Sequence, residues 1–330
     1  MNTPIATHLH DILTHAIQFS PEQTAFVLYD TEAPLTQILA DGYRANLPPE
    51  SFQDVATTTP EEILARFNTM RPGDLVVLVQ STNFRLNEFR LRIELFKLGL
   101  KTIEHVHLAR FAPSQFETYI ASLAYDPAYY RPRGKALKQR IDHCSRITVD
   151  CPGTTLVYDS AFEPAKLNIG DYSDMKNVGG TYPIGEVFSE PLDLTKINGE
   201  LRIFAFAGKD HLIQEHPPFT AIVQSGILTA PEAPAVFQEI LEMIEEDSPV
   251  IMREFGLGLN RAMGKGRLVN DLTAFERMNG MHISLGAKHS IYKKPGMPRD
   301  TGRYHVDVFI DLERITIDEE VVYEKGDFTV

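Results

Sequence analysis

The chain has 330 residues, 43 % of them hydrophobic and 23 % charged, with 32 Lys+Arg against 45 Asp+Glu and a formal net charge of −13. That is chain enough for two globular domains with separate cores, and the acidic balance excludes a general nucleic-acid binder, which needs Lys and Arg to displace counterions from phosphates. No apolar run approaches the roughly 20 residues that span a bilayer, the opening MNTPIATHLHDIL lacks the basic start and apolar run of a secretion signal, and Cys144 and Cys151 form neither a disulfide framework nor a CxxC motif; the expectation is a cytoplasmic protein that does not engage membranes.

In chain order, Thr24–Tyr29 and Leu75–Gln80 are short, nearly continuous apolar runs, the pattern of parallel strands covered on both faces. Pro60–Met70 opens with proline and two glutamates, as a helix N-terminus does. Asn87–Leu98 reads as a helix closed by Gly99, and Lys101–Leu108 as another strand. Strands alternating with helical crossovers predict an α/β domain with a largely parallel sheet over residues 1–146. This half carries no phosphate loop and no dinucleotide fingerprint. The polar, basic stretch Tyr130–Arg146 reads as a helix leading into the next domain.

Beyond it the texture changes. Ile147–Val149, Thr154–Tyr158, Leu201–Ala207, Thr220–Ser225, His282–Leu285 and Tyr304–Ile310 are short strand candidates separated by turn residues. Pro231–Glu246 is the one long helix. Residues 147–330 are therefore expected to form a β-rich α+β domain.

Four segments of this second half carry metal-competent side chains. They are GGTYPIGEVF with Glu186, REFGLGLN with Glu254, GMHISLG with His282, and YHVDVFI with His305 and Asp307. Residues two apart on a strand point to one face, so His305 and Asp307 project together while Val306, Val308 and Ile310 face a core. An imidazole beside a carboxylate can chelate Zn²⁺, Mn²⁺ or Fe²⁺. With His282 the set becomes two histidines and a carboxylate, the facial triad of non-haem iron sites. With Glu186 and Glu254 there are five ligands, enough for two ions sharing a bridging carboxylate. Each piece also has a plainer reading: a surface His–Asp pair, a hydrogen-bonded core histidine, two solvated loop glutamates beside turn glycines.

Together the segments resemble the aminopeptidase T family of thermophilic metalloproteases. Pro183-Ile-Gly-Glu186-Val-Phe188 is similar to the end of that family's N-x-P-x-G-E-V-F, with Asn177 upstream but separated by extra residues. Asn198–Glu200 is similar to its following N-G-x turn, Glu254 to its second metal glutamate, His282 in MHISLG to its H-I-A-L-G, and His305 with Asp307 to its H-x-D. The resemblance runs over about residues 177–310. It implies a homodimer whose second domain holds one or two divalent ions (Zn, Mn, Co or Fe) on Glu186, Glu254, His282, His305 and Asp307. It also implies a metal-activated water as nucleophile and a small peptide or other small molecule as substrate. One position departs from the family: the tyrosine seven residues after the histidine of H-I-A-L-G is His289 here, with Tyr292 three residues on. Histidine can donate a hydrogen bond or shuttle a proton near neutral pH, so Glu186 and His289 are the candidate catalytic residues.

His305 and Asp307 equally resemble the 2,5-dihydroxypyridine dioxygenases, distant relatives that hold one Fe²⁺ on two histidines and an aspartate. Three expectations follow. The first is a metal-dependent hydrolase acting on a peptide or related amide, the second is an Fe(II) ring-cleaving dioxygenase, and the third is a non-catalytic accessory protein on the same scaffold. The basic peptide Lys288–Asp300 is a candidate holder of a substrate carboxylate, or a solvated loop.

Overall fold

The computed structural model describes residues 3–84, 91–287 and 303–330, and the chain divides into two compact units. The first unit comprises Met1–Arg131 and Gly170–Ile184. It opens with α1 (Pro4–Asp11), β1 (Ala25–Tyr29), α2 (Pro34–Arg44), β2 (Phe52–Asp54), α3 (Pro60–Thr69) and β3 (Leu75–Val79). It continues through α4 (Leu91–Lys97), β4 (Lys101–His105) and α5 (Phe116–Ser122). α4 is the described part of the helix expected over 87–98; residues 87–90 of that expectation lie outside the described residues.

The apolar run LVVLV makes β3 the middle strand, buried along its whole length. Alternation sends Val76 and Leu78 to the same side as Phe26 and Leu28 of β1. There they pack with Ile63 and Phe67 of α3 and Leu91 and Leu95 of α4. Each such side chain stabilises the unit by about 1.5–3 kcal/mol on full burial. Thr59 and Glu62 close a reciprocal capping box at the start of α3.

α6 (Pro127–His143) crosses the division between the units at Pro132, and the second unit comprises Pro132–Ile169 and Gly185–Val330. After α6 come β5 (Ile147–Cys151), β6 (Thr154–Tyr158) and β7 (Lys166–Asn168). The chain then supplies β8 (Gly179–Thr181) to the first unit, completing a five-stranded parallel sheet of order β2-β1-β3-β4-β8. The sheet is the parallel layer expected from the alternating strands and helices.

The rest of the second unit is β9 (Glu186–Ser189), β10 (Ile197–Ala207), β11 (Ile213–Gln224), β12 (Ile227–Thr229), α7 (Ala235–Glu245), β13 (Met252–Gly258), α8 (Leu272–Phe275), β14 (Gly280–Gly286) and β15 (His305–Ile310). It ends with β16 (Arg314–Ile317), β17 (Glu320–Glu324) and β18 (Asp327–Phe328). These strands form one large antiparallel sheet in which β9, β13, β14, β15 and β10 are successive neighbours. The β-rich second half is thus as expected. One segment differs from what its sequence suggests. Arg253–Asn260, whose glycines signal a turn, is mostly strand β13, and all seven of that strand's residues are buried. Cys144 and Cys151 are both free and buried, and burial pushes their thiols up to about 12 and about 11. Among the described residues no helix is long and apolar enough to cross a membrane.

Candidate metal centre

Strand register gathers the candidate residues on one face of the second unit's sheet. Glu186 pairs with Gly258, His282 with Gly256, Ser284 with Asp307, and Gly286 with His305. Paired residues of antiparallel strands point the same way, and so do residues two apart. Glu186, His282, Asp307 and His305 therefore share a face with Gly256 and Gly258. On the opposite face Val187, Phe255, Leu257, Ile283, Val306 and Val308 are buried in the core. A register shift between Met252 and Phe255 marks a β-bulge at Glu254, whose backbone N–H donates to Ser284 Oγ at 3.1 Å. Gly185, at φ +117°, takes a backbone conformation that favours glycine. Its carbonyl accepts from Leu259 N–H at 2.8 Å, which fixes the start of β9 and with it Glu186.

The glycines of β13 have a spatial purpose. A β-carbon at Gly256 would lie 2.1 Å from His282 Nε2, and one at Gly258 would lie 2.0 Å from the Met278 carbonyl oxygen. The missing side chains let the imidazole and the Arg277–Met278 backbone lie against the strand.

Glu186, Glu254 and His282 are all buried, and each offers a ligand atom within 4.8 Å of the others'. His282 is 1 % exposed, and its Nε2 lies 3.5 Å from both Glu186 Oε1 and Glu254 Oε1. On β15 the Nε2 of His305 is 3.2 Å from Asp307 Oδ1, while its Nδ1 is 3.0 Å from the Ala287 carbonyl. When Nδ1 carries the proton and donates it to that carbonyl, Nε2 faces Asp307 with its lone pair, the orientation that a backbone carbonyl gives a metal-binding histidine. Asp307 is buried; the His305 side chain keeps 31 % of its surface exposed.

The electrostatics are those of a site built around positive charge. Burial opposes the charge on His282, but Glu254, Glu186 and Asp307 outweigh it and push the imidazole up to about 9. For His305, burial is likewise outweighed, chiefly by Asp307, and the ring is pushed up to about 10. Burial would raise Asp307, yet His305 and His282 hold it below the usual carboxylate range. Glu186 is raised by burial, against the pull of Arg277 and His282.

Two residues that the sequence motifs do not single out belong here. The Nη2 of Arg277 is 3.0 Å from Glu186 Oε2, and its Nη1 contacts the Glu276 carboxylate. Burial pushes Glu276 up to about 8, against the attraction of Arg277. The one sequence signal is a Glu–Arg pair set between Phe275 and Met278, both apolar, shortly before His282. His289 and Tyr292, with the basic peptide 288–300, lie outside the described residues.

The residues fit a divalent cation. Glu254 Oε2 and His282 Nδ1 are buried without a hydrogen-bond partner, and Asp307 Oδ1 and His282 Nε2 have only the ion-pair contacts given above. Orphaned polar atoms of this kind are costly in a protein interior. Carboxylate oxygens and imidazole nitrogens are the donors that Zn²⁺, Mn²⁺, Co²⁺ and Fe²⁺ accept.

No protein-family model matches the chain, and no curated protein matches it by sequence. Among solved structures, the fold is similar to 2,5-dihydroxypyridine dioxygenase from Pseudomonas putida KT2440, with a TM-score of 0.65 at 13 % identity over 100 % of this chain and 99 % of that one. It is similar also to wild-type AmpT from Thermus thermophilus, with a TM-score of 0.58 at 14 % identity over 99 % of each chain. The two kinds of protein that the sequence motifs resemble therefore share this fold.

Proposed function

We propose that the chain is a metal-dependent hydrolase that cleaves a small peptide or a related amide. The observation that carries this reading is the convergence of buried Glu186, Glu254 and His282 around unpartnered nitrogen and oxygen atoms. Glu254 and His282 would hold a divalent ion (Zn, Mn, Co or Fe) beside Glu186, with His305 and Asp307 as further candidate ligands. The ion supplies Lewis acidity toward water and a scissile carbonyl. Glu186 is the proton acceptor: Arg277 fixes Oε2, and Oε1 stays on the His282 side to take the proton from the attacking water. His289 is assigned, from its place in the motif, the hydrogen bond to the developing oxyanion.

The test is hydrolysis of aminoacyl anilides and short peptides by protein loaded in turn with Zn²⁺, Mn²⁺, Co²⁺ and Fe²⁺. Turnover with at least one ion is expected, with a fall on the order of 10²–10⁴-fold in Glu186→Gln, as for loss of a general base. Hydrolysis with none of the four ions, or wild-type turnover in Glu186→Gln, overturns the reading.

One observation favours a second reading. Arg277 already engages Glu186, and the remaining candidates include His282, His305 and Asp307, two histidines and a carboxylate such as non-haem Fe(II) oxygenases use, with Glu254 beside them. Oxygen consumption with Fe²⁺ and a dihydroxylated pyridine, and no turnover with Zn²⁺ or Mn²⁺, would select it.

A further inference from the structure

Glu186 is a two-sided carboxylate. Its Oε1 lies 3.5 Å from His282 Nε2, on the side where Glu254 also converges, and its Oε2 lies 3.0 Å from Arg277 Nη2. A carboxylate set between two cation positions is an arrangement that a two-ion centre can use. Here the Arg277 side chain fills one of the two positions.

We propose that the Arg277 guanidinium occupies the position of a second metal ion, so that the centre holds one divalent cation per chain. The inference rests on the metal reading above and adds the number of ions.

Three features support it. Arg277 is 8 % exposed and cannot lose its proton in a protein, so the charge is permanent. It is also anchored: Nη1 donates to the Thr273 carbonyl at 2.7 Å, and Asp271 caps that same turn by accepting from Ala274 N–H at 3.2 Å. Finally, Arg277 joins the two carboxylates that would otherwise attract a second ion, Glu186 and Glu276. Like charges repel strongly in a buried site, so a second divalent ion beside a fixed guanidinium is excluded. Glu254 and His282 keep buried atoms without hydrogen bonds on the Oε1 side of Glu186, and that is where the one ion goes.

The experiment is metal counting on purified full-length protein dialysed against Mn²⁺ or Zn²⁺, by elemental analysis and calorimetric titration. The wild type is expected to bind one ion per chain and Arg277→Lys one. Arg277→Met, which frees Glu186 and Glu276, is expected to bind two. Two ions in the wild type, or one in a folded Arg277→Met, overturns the inference. If Arg277→Met does not fold, electron paramagnetic resonance of the Mn²⁺-loaded wild type decides. The six-line spectrum of an isolated ion supports the inference, and an exchange-coupled spectrum overturns it. No ion in the wild type under any condition overturns the metal reading itself, a result distinct from two.

Discussion

The imidazole of His282 occupies the space that a side chain at Gly256 would fill, with Nε2 2.1 Å and Cε1 2.2 Å from where a β-carbon would stand. A single methyl group there must push the ring away from Glu186 and Glu254. Gly256→Ala is therefore expected to weaken metal binding by about 10–100-fold, comparable to loss of a residue that orients a ligand. Its stability should fall by only about 1–3 kcal/mol, because the ring can move. At Gly258 the clash is with the Met278 carbonyl and the Arg277 backbone, which cannot rotate aside. Gly258→Ala should lie at or above the upper end of that stability range. Calorimetric metal titration and urea unfolding of the two variants check this. Unchanged metal affinity in Gly256→Ala would remove the cradle from the account of the site.

Metal binding should release protons. In the metal-free protein His282 is pushed up to about 9 and His305 to about 10, so both rings are charged at neutral pH. A cation needs them neutral. Affinity is expected to fall as pH drops from 10 to 7, by about tenfold per pH unit for each histidine displaced. Titrations at pH 7 in buffers of different ionisation enthalpy should give close to two protons per ion, and fewer than one would contradict the assignment of the two rings. The metal-free protein has the opposite trend. Because the folded-state values lie above the ordinary histidine value of 6.5, the two rings stabilise the fold fully below that pH. They lose this contribution as pH rises through 9 and 10. In chelator, the urea midpoint should decline over that window, and less steeply in His282→Gln.

The strands that carry the site are legible in the sequence to different degrees, for physical reasons. The alternation in YHVDVFI is enough by itself to place His305 and Asp307 on one face, and the run LVVLV marks a strand buried on both faces. β13 is hidden because its site-facing positions are Glu254, Gly256 and Gly258, and glycine signals a turn unless something lies against the strand. What lies there, His282 and the Met278 carbonyl, is distant in sequence. Arg277 is hidden for the same reason. Beside Glu276 it looks like an ordinary surface charge pair, and only the approach of Glu186, far back along the chain, gives it a role. The meeting of the four segments depends on the β9-β13-β14-β15 register, which local spacing does not encode.

Arg253 and Glu190 form another buried ion pair, Nη1 to Oε1 at 3.2 Å, and the Arg253 Nε donates to the Gly286 carbonyl at 2.7 Å. The pair joins β13 to the end of β14 and to the residue that follows β9, three of the strands that carry the candidate ligands. Arg253 also immediately precedes Glu254 within the bulge. Breaking a buried ion pair by removing one partner is strongly destabilising, so Arg253→Met is expected to lose about 3–5 kcal/mol of stability. Replacing both, as in Glu190→Leu/Arg253→Met, removes both charges of the pair and should recover most of that loss. Metal affinity should not recover with it, because the bulge that aims Glu254 has lost its clamp. A deficit of about 10–100-fold is expected to persist in the double variant. Urea unfolding and metal titration on all three variants separate the two roles. If the double variant regains wild-type affinity along with its stability, the pair only balances buried charge and Glu254 is aimed by the bulge alone.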